Sequence, residues 1–136
     1  MYNKRRKGGF YEEKAVSFLK EKGYIILEQN YYSHHLEIDI IAKDKDYLVF
    51  IEVKYRKDDE KGNPLESVTF RKRMNIIKAA KQYIQRYYYG RDINVRFDVI
   101  SICGEEMNLI KDAFWIEWNL IKYIWNGECI WIMKQG

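Results

Sequence analysis

A single proline and only two cysteines in 136 residues withhold several architectures from this chain. Cys103 and Cys129 cannot build a disulfide framework and lack metal-ligand spacing, so both are expected to be plain packing residues in a reducing compartment, the cytoplasm. No uncharged apolar run reaches the roughly 18 residues of a spanning helix, so no membrane partner is expected. The opening "MYNKRRKGG" turns amphipathic instead of entering an apolar h-region, which argues against a signal peptide. Internal repeats and low-complexity linkers are absent, and the length suits one domain with one core.

What the chain does have is unevenly placed charge. The net charge of +4 is modest, yet Lys4, Arg5, Arg6 and Lys7 crowd the start, and residues 69–91 carry seven basic side chains and no acid. This asymmetry fits a polyanion, nucleic acid first. Biased coding toward Lys, Ile and Tyr would give the same basic faces with no partner.

Periodicity sets the elements. Tyr11, Ala15, Phe18 and Leu19 follow the spacing of one helical face over residues 10–22, and Gly23 supplies a stop. A first strand begins at Tyr24, a loop covers residues 30–35, and two apolar strands, 36–42 and 47–56, flank the four-residue connection "KDKD". A charged loop holding the proline leads to a second helix from an N-cap at Thr69 toward Tyr89. Ile77, Ala80, Ile84 and Tyr88 line one side of it, and Arg71, Asn75, Lys78, Gln82, Gln85 and Arg86 the other. "INVRFDVISI" alternates as a strand and "MNLIKDAF" adds a short edge strand. The order α-β-β-β-α-β-β predicts an α/β domain, a mixed β-sheet flanked by helices.

The hairpin carries the chemistry. Within "LEIDIIAKDKDYLVFIEVKYRK" two acids and a lysine interrupt hydrocarbon. Alternation places Glu37, Asp39 and Ile41 on one side of the first strand and Leu48, Phe50, Glu52 and Lys54 on one side of the second. If the "KDKD" loop pairs Ala42 with Tyr47, Asp39 faces Phe50 with Glu52 on the diagonal; a slip of two residues sets Asp39 opposite Glu52, and a slip of one separates them. Like charges across a strand pair are destabilising, and Lys54 alone is outnumbered. Hard oxygen ligands in such a cluster suit Mg²⁺ or Mn²⁺. Glu12, on the stripe with Ala15, Val16 and Leu19, points toward the sheet as a further ligand, whereas Glu13 reads as an ordinary first-turn acid. The competing reading is a salt-bridged strand, with Glu52 paired to Lys54 or Arg56.

Glu12, "GY" at 23–24, "EIDIIA" at 37–42, "FIEVKYR" at 50–56, "VTFRK" at 68–72 and "RFDVISI" at 96–102 together resemble the YraN-like family of bacterial proteins, over about residues 5 to 114. That family shares the restriction-endonuclease-like PD-(D/E)XK core and is similar to Holliday-junction resolvases. The resemblance implies that Asp39 and Glu52 hold a divalent ion with the Val53 carbonyl as an extra ligand, that Glu12 closes the site, and that Lys54 serves the attacking water and the phosphate. Tyr11 and Leu36 stand where the family usually has glycine, and larger side chains there narrow the approach or alter the backbone.

For DNA, the expected phosphate contacts are Lys4, Arg5, Arg6 and Lys7 with Arg56, Arg71, Lys72, Lys78 and Lys81. Tyr31, Tyr32, His34 and His35 could stack on a base or meet a phosphate, although packing is the stronger reading of the tyrosines and the adjacent histidines lack zinc-site spacing. Residues 115–136 hold all four tryptophans and are apolar around most of a helical circumference. They form an extension that either covers the domain or joins a second copy in a homodimer. Two functions follow: a metal-dependent nuclease acting on DNA phosphodiesters, at branched or damaged structures, or an inactive nucleic-acid-binding or interaction module that keeps the fold.

Overall fold

The computed structural model of the protein describes residues 4–57 and 68–114. Helix α1 spans Lys4–Glu21; strands β1 (Ile25–Ser33), β2 (Leu36–Asp44) and β3 (Tyr47–Arg56) follow; then come helix α2 (Phe70–Tyr87) and strands β4 (Asn94–Cys103) and β5 (Glu106–Phe114). The five strands form one mixed sheet in chain order, antiparallel throughout except for the parallel pair β3 and β4. A parallel pair needs a long crossover, and α2 lies in it. The expected element order and α/β class are those observed. The Trp-rich extension, with Cys129, lies outside the described residues, as do residues 58–67.

One helix covers each face of the sheet. Ala15, Val16 and Leu19 of α1 pack on Ile40, Val49 and Ile51, while Ile76, Ala80 and Tyr83 of α2 pack on Ile41, Leu48 and Phe50. Leu48 to Glu52 are therefore buried in succession, which is why β3 reads as a continuous apolar run. Each such Leu, Ile or Phe contributes roughly 1.5–3 kcal/mol by leaving water. No helix among the described residues is long and apolar enough to cross a membrane.

Three local expectations are corrected. Helix α1 starts at Lys4, six residues before the expected start at Phe10, so the basic "KRRK" run is helical and not a loose arm. It ends as expected: Gly23 adopts φ 92°, its N–H reaches the Lys20 carbonyl at 3.0 Å, and the Tyr24 N–H reaches the Leu19 carbonyl at 3.0 Å. That double closure needs a left-handed residue and suits glycine. The loop expected over residues 30–35 is mostly strand, since β1 continues to Ser33 and only His34 and His35, at φ 46° and 68°, make the turn. "KDKD" is likewise a two-residue turn at Lys45–Asp46, with Lys45 at φ 54°. Tight hairpin turns need positive φ to match strand twist.

Thr69 caps α2, its Oγ1 accepting the Lys72 N–H at 3.1 Å. Arg73 Nε donates to the Val68 carbonyl at 2.9 Å and its guanidinium lies 5.8 Å from the Phe114 ring, fixing the helix start against β5.

The "GY" and "RFD" segments meet in a buried polar network. Asp98, fully buried, accepts from Arg96 Nε at 2.8 Å, from Tyr24 Oη at 2.9 Å and from the Asp112 N–H at 3.0 Å. Arg96 also binds Asp44 at 2.8 Å, with Lys111 3.4 Å from the same carboxylate oxygen. Asp112, at φ 54°, marks an irregularity in the β4–β5 ladder, and the Asp98 side chain takes its N–H where the register shifts. Every charge here has a partner, as a buried ion pair must.

Candidate metal centre

Asp39 and Glu52 meet because of how their hairpin closes. The two-residue turn pairs Asp44 with Tyr47 and Ile40 with Ile51. The paired residues end there, and Asp39 and Glu52 are the next residues of the two strands, close enough to interact, in a register shifted by two residues from that of a four-residue connection. Regular alternation fails at the same step: Ile38 packs in the α2-side core and Ile40 in the α1-side core, though only two residues separate them. The break falls at Asp39, whose Oδ2 accepts the Val53 N–H at 2.8 Å.

Glu52 is 7% exposed, and its Oε2 is buried with no hydrogen-bond donor. Its other oxygen, Oε1, lies 3.7 Å from Lys72 Nζ. Burial, reinforced by the charge of Asp39, pushes the Glu52 carboxyl up to about 8 against the opposing pull of Lys72 and Lys54. Asp39 is also raised, by burial first, while the Val53 N–H and a hydrogen bond with Glu52 hold it back. Burial and mutual repulsion thus favour the protonated form of both carboxyls.

Two more acids complete the cluster. One carboxylate oxygen from each of Glu12, Glu37 and Asp39 lies within 4.8 Å of the others. Glu12 rises to about 7, through burial and then the charge of Asp39, with a side-chain hydrogen bond from Asn30 opposing the rise and Glu37 adding to it. Four carboxylates thus converge from α1, β2 and β3 onto a region where Lys72 supplies the close cation.

The contrast with Asp98 defines what this arrangement can do. Both aspartates are sequestered and both accept a backbone N–H at an irregular step in a ladder. Asp98 is neutralised by Arg96, whereas around Asp39 the acids outnumber the cations and a Glu52 oxygen is left without a donor. Buried polar groups without partners are rare and point to a missing ligand or a function. Hard carboxylate oxygens suit a divalent cation.

The structure brings Glu12 and Asp39 together with Glu37; Glu52 lies outside that group but close enough to Asp39 for each carboxyl to shift the other, and Val53 meets Asp39 through its N–H. Lys54 is half-buried and close enough to lower the Glu52 carboxyl, but the ion pair to Glu52 comes from Lys72 in the first turn of α2. The salt-bridge expectation, pairing Glu52 with Lys54 or Arg56, gives way to this longer-range contact. Glu13 is exposed, but it is not the first-turn acid expected, because α1 begins at Lys4 and its first turn carries no acid.

Among the nucleic-acid candidates, Arg71 and Lys78 are exposed while Arg56, Lys72 and Lys81 are half-buried. Lys4, Arg5, Arg6 and Lys7 lie on α1, and their side chains are outside the described set. Tyr31 packs edge-to-face on Tyr83 at 5.3 Å, the packing role weighed for it, and Tyr32 is 68% exposed. The two departures from the family pattern are absorbed by packing: Tyr11 stacks on Tyr55 at 4.3 Å, and Leu36 lies against the α2-side core.

Sequence reasoning missed Asn30 and gave Lys72 only a phosphate-contact role. The one signal for Asn30 was an asparagine inside a β-rich run, a residue tolerant of positive φ. Nothing local links Lys72 to Glu52.

A sequence model described as "Uncharacterised protein family UPF0102" matches residues 11–102. A UPF0102 protein of Fusobacterium nucleatum is 45% identical over 113 residues, 83% of this chain and 94% of the relative. One from Lachnoclostridium phytofermentans is 44% identical over 112 residues, 82% of this chain and 95% of the relative. Another from Clostridium botulinum strain Hall is 46% identical over 115 residues, covering 80% and 94% respectively. These names state no reaction.

Proposed function

Because the chain belongs to the uncharacterised family UPF0102, the YraN family, whose names assign no reaction, we propose from the site itself that it is a metal-dependent nuclease hydrolysing DNA phosphodiester bonds, those of branched or damaged DNA among them. The observation that carries this reading is the buried, donorless Oε2 of Glu52 beside a second carboxylate, Asp39, whose charge opposes its ionisation. An acid pair held for stability alone would be neutralised as Asp98 is.

The residues fit Mg²⁺ or Mn²⁺. Asp39 and Glu52 would hold the ion, with the Val53 carbonyl and Glu12 as further oxygen ligands. When bound, the ion supplies an acidified water and positive charge at the phosphate. Asp39 must be deprotonated to serve, and the Val53 N–H on its Oδ2 favours that state. Lys54 Nζ, two residues beyond Glu52 on the same strand, orients the attacking water and offsets the charge that grows on the phosphate. Lys72 and the exposed Arg71 share the first turn of α2 beside Glu52, so a backbone phosphate there meets two cations.

The test is to incubate wild type, Asp39→Ala and Lys54→Ala with linear, nicked, single-stranded and four-way-junction DNA in Mg²⁺, Mn²⁺ or EDTA. Metal-dependent cutting that both variants lose is the expected result. Cutting that survives Asp39→Ala refutes the assigned site, and wild type that binds DNA without cutting it under either metal makes the protein a binding module.

A further inference from the structure

Helix α2 leads from the metal centre to a cluster of rings and cations. Its first turn sets Lys72 beside Glu52, and from there Arg71, Lys78 and Gln85 are exposed along one side of the helix. Residues spaced by seven stand about two turns apart, so the three form a stripe nearly parallel to the axis. The stripe ends in "QRYYYGR", residues 85–91. Tyr87 and Tyr88 rest on Tyr83, at 4.7 and 6.2 Å between ring centres, and each carries a cation: Arg86 lies 5.4 Å from the Tyr87 ring and Arg91 5.1 Å from the Tyr88 ring. Tyr89 is different. It is 81% exposed and its ring meets no other ring or cation among the described residues. A tight turn fixes its place, the Arg91 N–H reaching the Tyr88 carbonyl at 3.0 Å and Gly90 taking the positive φ, 72°, that favours glycine there.

We propose that this turn binds a single-stranded arm of DNA, an unpaired base stacking on Tyr89 while Arg86 and Arg91 meet the phosphates beside it. Seven basic residues and no acid from 69 to 91 make a polyanion the partner of this face. An open ring among those cations narrows the choice to a strand with free bases, because a continuous duplex keeps its base faces stacked on one another. The negative end of the helix dipole and the exposed Asp92 work against a phosphate at this spot, and Arg86 with Arg91 offset them. The inference rests on the DNA part of the reading above and names the class of substrate. The 18 residues of α2 span roughly 27 Å, and at about 3.4 Å per stacked nucleotide the strand opens about eight nucleotides from the metal centre.

The experiment is fluorescence anisotropy in EDTA with a single-strand-tailed duplex and a blunt duplex of equal phosphate number, for wild type, Tyr89→Ala, Tyr89→Phe and Arg86→Ala. Wild type is expected to favour the tailed DNA. Tyr89→Ala should weaken that complex about fivefold or more, leave the blunt one unchanged and keep the salt slope, since it removes a stack and no charge; Tyr89→Phe should bind as wild type, and Arg86→Ala should lower the slope. Equal binding of the two DNAs by wild type, or a tail preference that survives Tyr89→Ala, overturns the proposal. So does an equal loss in Tyr89→Phe, which would assign the contact to the hydroxyl, and so does a dimer in sedimentation that Tyr89→Ala dissociates, which would make the turn a contact between copies. Because no metal is present, the two readings fail separately. A Tyr89-dependent tail preference in a protein that cuts nothing leaves this site standing without the nuclease, and metal-dependent cutting by a protein indifferent to the tail does the reverse.

Discussion

Raising the pH should weaken the metal-free protein, and a divalent ion should restore what is lost. Glu52 and Glu12 are raised from ordinary values of 4.5 to about 8 and about 7, and Asp39 shifts the same way. A carboxyl whose pKa is higher folded than unfolded favours the folded state most below its unfolded value, and that advantage drains away as pH climbs to the folded value. The window is therefore pH 5 to 8. At about 1.4 kcal/mol per unit, and with the interacting carboxyls of Asp39 and Glu52 counted as one titration, Glu52 withdraws about 3 kcal/mol. Glu12, being half-solvated, withdraws less. For a domain this size that is a fall in Tm of about 10 °C. Asp44 has the opposite sign: burial pushes it up, but Arg96 and Lys111 prevail and hold it below its usual 3.8, so its window lies under pH 4. Because ligands must be deprotonated, Mg²⁺ should do little at pH 5 and stabilise most at pH 8, by about 2.7 kcal/mol at a hundredfold excess over Kd. Thermal melts at pH 5, 6.5 and 8, in EDTA and in Mg²⁺, decide it. A Tm in EDTA that is flat or rising from pH 5 to 8, or an equal Mg²⁺ effect at both ends, refutes the reasoning.

Two further outcomes separate structural acids from chemical ones and test the basic face. Asp98→Ala removes one of the two carboxylates that neutralise Arg96 and should cost about 3–5 kcal/mol by urea denaturation, whereas Asp39→Asn, which still accepts the Val53 N–H, should be neutral or stabilising at pH 8 in EDTA; similar losses in both would erase the distinction. Arg71→Ala and Lys78→Ala should each reduce the salt dependence of DNA binding, measured by fluorescence anisotropy, by about 0.9 in log–log slope for each phosphate that the side chain neutralises. An unchanged slope removes that residue from the interface.

The sheet, both helices and the identity of the acids could be read in the sequence because they depend on local signals: period-2 runs, the Thr69 cap, and the Gly23 stop. Register was harder. "KDKD" looks like a four-residue loop because all its members are polar, yet Lys43 and Asp44 are strand residues and Asp44 is used to bind Arg96. That choice shifted the register by two residues, so that Asp39 and Glu52 both follow directly on the Ile40–Ile51 pair. Strict alternation also failed to foresee that Ile38 and Ile40 would pack on opposite faces, since a break is a property of the paired strands and not of β2 alone. The pairing of Lys72 with Glu52 depends on how α2 docks, and the approach of Glu12 to Asp39 on how α1 does. Neither interaction has a sequence-local cause.

Crystals soaked in Mn²⁺ at pH 8 and measured for anomalous scattering give the most direct test. A single strong peak coordinated by Asp39 and Glu52, with the Oε2 of Glu52 now partnered, is the predicted result. A map empty there at saturating Mn²⁺, with Lys72 still on Glu52, contradicts the metal centre.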